Sequence, residues 1–130
     1  MGIRVVRLGT PRGPGEGLRL GTVRHPPRGV RKQDYAARDF FDVWLPELAP
    51  SAPLVAWGLS EPLTPKRWAI FERRYRGEMR QPGSQRLIAL LAALSSQTNF
   101  SVGCYCEDET HCHRILLKKL LAELGAVITG

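Results

Sequence analysis

All three cysteines and two of the three histidines of this 130-residue chain fall in one stretch, Gly103-Cys-Tyr-Cys-Glu-Asp-Glu-Thr-His-Cys-His-Arg114. An odd number of clustered thiols without an export signal argues against a disulfide framework and for one local site. The first chemistry such a site suggests is the handling of an anion. Cys106 and Cys112 are candidate nucleophiles, because a thiolate near a helix N-terminus is both favoured and reactive. Arg114 and free helix amides would hold the anion, Arg24 and Arg28 would close over it, and Glu107 and His113 would complete the contacts. The acidic run Glu107-Asp108-Glu109 opposes this reading, since it repels anions and raises thiol pKa values. The spacing also fails a Cys-x5-Arg phosphatase loop, which would need Arg at 112 or 118, where Cys and Lys stand.

Two other readings compete. Cys104, Cys106, Cys112 and His113 form a legitimate zinc ligand set, although one residue between the first two cysteines departs from the usual two to four. The plainer reading makes Cys104 a small buried hydrophobe on a core strand and packs Cys112 under the last helix. His111 and His113 would then cap or be solvated, and His25, beside Pro26-Pro27, reads as a loop histidine. On balance no metal and no organic cofactor is assigned from sequence.

The elements that must position these residues follow from periodicity. Ile3 to Leu8 and Leu18 to Val23 read as short strands, separated by the turn-rich Thr10 to Gly17. A basic loop, Arg24 to Lys32, follows, its paired prolines forbidding regular structure. Asp34 can cap a helix through about Leu45, with Phe40, Phe41, Trp44, Leu45 and Leu48 as its apolar contacts, before Pro46, Pro50 and Pro53 break it. Leu54 to Trp57 is ambiguous. Thr64-Pro65 starts a helix well, and Trp68, Phe71, Tyr75 and Met79 recur at spacings of three and four as its core stripe. Gln81-Pro-Gly-Ser84 ends that helix, and Ser84 can open the next, whose buried residues would be Leu87, Ile88, Leu90, Leu91 and Leu94. Alternation from Phe100 to Cys106 gives a strand. A last helix, capped at Asp108 or Thr110, would bury Ile115, Leu116, Leu120, Leu121 and Leu124 and end at Gly125, with Ala126 to Ile128 adding a short strand.

Strands alternating with helices predict a single α/β domain over residues 1–130, with a mostly parallel central sheet flanked by helices. The length suits one domain. No apolar run approaches the ~20 residues of a membrane span, and the N-terminus lacks an apolar leader, so the expectation is a soluble cytoplasmic protein without membrane contact. The charge is uneven. Residues 1–100 carry 16 basic and 8 acidic side chains and the remainder 3 and 4; 15 of the 19 basic residues are Arg, whose planar fork suits phosphate. That excess fits a polyanion or a phosphorylated ligand, or simply a well-solvated surface.

The string Cys106-Glu-Asp-Glu-x-x-Cys-His-Arg114, followed by an apolar helix, resembles the signature of the domain of unknown function 488 family, its YeaO-like branch in particular. Arg24 with Pro27-Arg-Gly29 resembles that family's first-loop motif. Trp44-Leu-x-x-Leu-Ala-Pro-Ser51 and Trp68-x-x-Phe-x-x-Arg-Tyr-Arg76 resemble two further motifs in order, so the similarity spans about residues 3–125. Relatives commonly carry Asp just before the first-loop Arg, where this chain has Val23, so any role of that carboxylate is missing here. The resemblance implies a small α/β protein of unassigned activity.

The resulting expectation is a small phosphorylated or nucleotide-like ligand bound where the 24–32 loop meets the 103–114 segment, with thiol-dependent catalysis at Cys106 or Cys112. Trp44 and Arg76 would contribute to the wall. The alternatives are a nucleic-acid-binding module using the arginine-rich helix 66–80, and an interaction protein without chemistry.

Overall fold

The computed structural model describes residues 1–106 and 111–129. Four strands, β1 (Ile3–Arg7), β2 (Leu18–Gly21), β3 (Val43–Trp44) and β4 (Phe100–Cys104), form one all-parallel sheet in the order β1-β4-β2-β3. Four helices complete the domain: α1 (Ala52–Leu59), α2 (Pro65–Glu78), α3 (Pro82–Leu94) and α4 (His113–Glu123).

Register divides the sheet into two unlike faces. Ile3 pairs with Phe100, Phe100 with Leu18, and Val102 with both Val5 and Leu20. From this face Ile3, Leu20, Phe100 and Val102 join buried residues of all four helices in one core. Leu116, Leu117 and Leu121 of α4 are completely buried there, each stabilising the fold by about 2 kcal/mol. The alternate rows, Arg4-Ser101-Arg19 and Val6-Gly103-Gly21, belong to the opposite face. Chain on that side includes the 8–17 connection and the 31–42 segment. Phe41 lies so close over Gly21 that a Cβ there would sit 2.3 Å from its ring.

Local signals explain most helix starts. Thr64 accepts a hydrogen bond from Arg67 N and Pro65 occupies the first turn of α2. Phe71, Tyr75 and Met79 are buried as their spacing predicts, with Trp68 partly so. The ambiguous stretch around Leu54 is α1, capped by Ser51 and carrying Pro53 in its first turn, so this proline begins a helix. Ser84 does not open α3. That helix starts at Pro82 after Gln81, and Ser84 is buried with its hydroxyl on Glu47 O. Leu90 and Leu124 lie on exposed faces, at 53% and 55% accessibility, while Leu117 takes an inner position. Gly125, at φ 81°, ends α4 as expected.

The helix expected from Asp34 to Leu45 does not form. A single 3-10 turn at Lys32–Asp34 gives way to turns and then to β3. Asp39 adopts φ 61°, which no right-handed helix accommodates. The Asp42 carboxylate is drawn off to Arg19 N and the Arg12 guanidinium, and Phe41 to the sheet, so tertiary partners outcompete the local helical pattern. β4 ends at Cys104 rather than Cys106. Ile128 meets Ile3 in a parallel bridge, the remnant of the expected final strand.

Candidate site at the thiol-bearing strand end

β2 and β4 run side by side, and the chain leaving both carboxyl ends builds the site. Val23 to Arg28 leave β2, and Tyr105 and Cys106 leave β4, with His113 of α4 beneath them. Together with Phe40, Pro50 and Val55 these residues line a cavity of about 490 Å³, within the ordinary range for small-ligand sites. Its position outside the carboxyl ends of parallel strands is where α/β folds bind ligands. The Tyr105 hydroxyl donates to His25 O at 3.0 Å, tying the proline loop to the thiol turn. Burial pushes that phenol up to about 12. Val23 is a buried apolar wall residue.

Arg24 and Arg28 both reach the cavity. Arg24 is aimed by two backbone carbonyls, its Nε donating to Pro50 O (3.0 Å) and Nη2 to Ala49 O (3.1 Å). Among the described residues neither arginine has a carboxylate partner. Arg114 is placed differently. It is buried to 4% accessibility and turned toward β1, where Nη1 donates to Val6 O (3.1 Å). Its Nε has no acceptor among the described residues.

The sulfurs of Cys104, Cys106 and Cys112 all lie within 4.8 Å of one another. Cys104 and Cys112 are buried and their sulfurs are in direct contact, with Cα atoms 7.9 Å apart. Cys106 is the exposed member at the cavity. Of the two candidate nucleophiles, Cys106 is therefore the one a ligand reaches. Cys112 is the residue that caps α4. Asp108 and Thr110, the caps read from sequence, lie outside the described residues, as does Glu107 from the ligand-contacting set.

His113 is the site residue whose orientation is best defined. Its Nε2 makes a 2.5 Å hydrogen bond to Thr22 O and its Nδ1 lies 3.9 Å from Cys112 Sγ. Burial holds the imidazole down to about 4, against the carbonyl bond, which raises it; the charges of Arg114 and Arg24 push it lower still. The ring is thus neutral near pH 7. With a carbonyl facing Nε2, the proton sits on that nitrogen and Nδ1 presents a lone pair toward the Cys112 sulfur.

Two residues expected in the wall lie elsewhere. Trp44 donates Nε1 to Val23 O and borders a separate cleft with Tyr35 and Phe41. Arg76 is engaged by Glu72 and Glu123 and borders a different cleft with Met79 and Leu120. Other arginines of α2 are similarly occupied: Arg67 and Arg74 sit over the Trp57 ring at 4.1 and 4.6 Å. Tyr105, Phe40, Pro50 and Val55 are cavity residues that sequence reasoning missed. Tyr105 stood inside the cysteine cluster and was legible there; the others reach the site only through tertiary folding.

No helix among the described residues is long and apolar enough to cross a membrane. No curated protein and no solved structure matches the chain. A family model, DUF488-N3a, described as the active DUF488-N3 subclade, matches residues 3–125. With almost its whole length matched, the chain belongs to this family of DUF488 domains.

Proposed function

We propose that this chain binds a small phosphorylated or nucleotide-like compound in the cavity between the 24–28 loop and the Cys104–Cys106 turn, with the Cys106 sulfur as the reactive group nearest to it. One observation supports the reading: a single cavity joins two arginines, which have no carboxylate partner among the described residues, to an exposed sulfur at the end of a parallel strand. Val23, Pro26, Pro27, Phe40, Pro50 and Val55 make the walls apolar, so the preferred compound has an apolar or aromatic body and an anionic end. Arg24 is already aimed by its two carbonyl acceptors, which lowers the cost of ordering it on binding. The family's description as an active subclade agrees with an enzymatic role. The arginine-rich helix gives weaker support to nucleic-acid binding, because Arg67, Arg74 and Arg76 are already held by Trp57, Glu72 and Glu123, leaving Arg73 and Arg80 as its remaining exposed arginines.

Alkylation by iodoacetamide, mapped to Cys106 by peptide mass and followed against pH, tests the proposal. Cys106 is expected to react well below its unperturbed pKa of about 8.5. Adenosine monophosphate, or inorganic phosphate at higher concentration, is expected to slow that reaction, and Arg24→Gln with Arg28→Gln to abolish the protection. A thiol that titrates at or above its ordinary value and is indifferent to both anions would refute the assignment.

A further inference from the structure

The geometry points to a zinc site formed by the sulfurs of Cys104, Cys106 and Cys112 and by Nδ1 of His113. Four separate features converge on it. The first is spacing. In a tetrahedral zinc site with metal–sulfur bonds near 2.3 Å, thiolates stand about 3.8 Å apart. The three sulfurs lie within 4.8 Å of one another, Cys104 and Cys112 in contact, and His113 Nδ1 is 3.9 Å from the Cys112 sulfur. To close four donors on one ion, the Cys104 and Cys112 sulfurs must part and the His113 ring must approach the other two sulfurs.

The second feature is the span between the buried pair. Cα atoms of bridged cysteines usually lie about 4.4–6.8 Å apart, and beyond about 7 Å the backbone must move to close the bond. Cys104 and Cys112 are 7.9 Å apart. An ion between the sulfurs lengthens the reach of the link and suits that separation.

The third is the imidazole. Metal-bound histidines almost always donate their other ring N–H to a carbonyl or carboxylate, which fixes the ring and its tautomer. His113 does this through Nε2 on Thr22 O, leaving Nδ1 toward the Cys112 sulfur. The fourth is charge. Zinc with three thiolates and a neutral imidazole carries a net charge of about −1, from the ligand charges alone. Arg114, next in sequence to His113, is a buried cation with one carbonyl acceptor and no carboxylate partner among the described residues. An anionic metal centre supplies the counter-charge that a buried guanidinium needs.

Ligation keeps the sulfurs deprotonated, with the thiol protons released to solvent as the ion binds. Cys106 therefore remains a thiolate at neutral pH while serving as the ligand at the cavity. The metal site stands on its own: the ion needs only these four side chains, whether or not an anion enters above them.

The test is metal analysis of the full chain, purified without chelator or affinity metal, together with a thiol count after chelator and denaturant but without reductant. About one equivalent of zinc is expected, with all three thiols titrating. Replacing zinc by cobalt(II) should give sulfur-to-cobalt charge-transfer absorption and the visible bands of a tetrahedral site. Cys106→Ser, at an exposed position that leaves the core intact, should weaken zinc binding at least tenfold and reduce the charge-transfer band. One titrating thiol would identify Cys104 and Cys112 as an oxidised pair and overturn the proposal. So would failure of the fully reduced chain to take up zinc, or a cobalt spectrum without sulfur bands. Protection of Cys106 by adenosine monophosphate in metal-free protein would leave the anion reading standing by itself.

Discussion

Two buried arginines of this fold have opposite surroundings. Arg19 on β2 is 1% accessible, and its guanidinium meets both Glu16 carboxylate oxygens at 2.7 and 3.0 Å and the carbonyls of Thr10 and Asp39 at 2.8 and 2.7 Å. Glu16 is closed in turn by Ser101 Oγ and Gly13 N. Arg114 on α4 is 4% accessible and has one carbonyl, with Nε unmatched among the described residues. The first arrangement is complete within the chain, and what it does is hold the loop from Thr10 to Glu16 against the sheet. The second is incomplete, and it adjoins the thiol and imidazole cluster. A buried charge that the protein satisfies itself belongs to the architecture, whereas the unmatched Arg114 donor among the described residues is what the proposed metal centre would balance.

The contrast can be broken by mutation. Arg19→Met leaves the Glu16 carboxylate buried and unpaired, and should cost about 3–5 kcal/mol, read as a lowered midpoint in urea unfolding. Glu16→Gln should cost less, about 2 kcal/mol near neutral pH, because the amide still accepts a hydrogen bond from Arg19. Its signature is in the pH dependence. Burial raises the Glu16 carboxyl, but the hydrogen bonds from Arg19, Ser101 and Gly13 N together with the Arg19 charge bring it down to about 2 from 4.5. The wild-type chain therefore has this stabilisation in full above about pH 4.5 and loses it as pH falls toward 2, where wild type and Glu16→Gln should converge. Arg114→Met, assayed in zinc-free protein, should be the mildest, within about 1 kcal/mol of wild type, since losing one carbonyl contact is offset by relief of an unmatched charge. A loss equal to that of Arg19→Met would mean that Arg114 is a structural element after all.

The two regions were also unequally legible in the sequence. The cysteine cluster announced itself because its members lie within nine residues of one another. Its meeting with Arg24 and Arg28 followed from strand polarity, since both segments leave the same ends of adjacent parallel strands. The direction of Arg114 did not follow: the helical phase of a first turn decides whether a side chain faces the cavity or β1, and a cap misplaced by two residues changes it. The Glu16–Arg19 pair was invisible for another reason. Glu16 sits in a stretch of Gly, Pro and Thr that reads as exposed turn, and only packing against Ser101 buries it. The same limitation hid β3. Apolar residues from Phe40 to Leu48 satisfy a helical period, yet Phe41 is spent on Gly21 and the Asp42 carboxylate on Arg19 N.

The margins of the sheet carry a consequence for self-association. At one margin β3 offers only two paired residues, Val43 and Trp44. At the other, β1 receives the 127–129 segment, with Ile3 N bonded to Val127 O and Thr129 N to Ile3 O. Neither border presents a long open row of amides and carbonyls on which a foreign chain could template an added strand. Among the described residues, self-association would thus draw on side chains, and the helical layer, where Leu90 and Leu124 meet solvent, is the place to look for a seam.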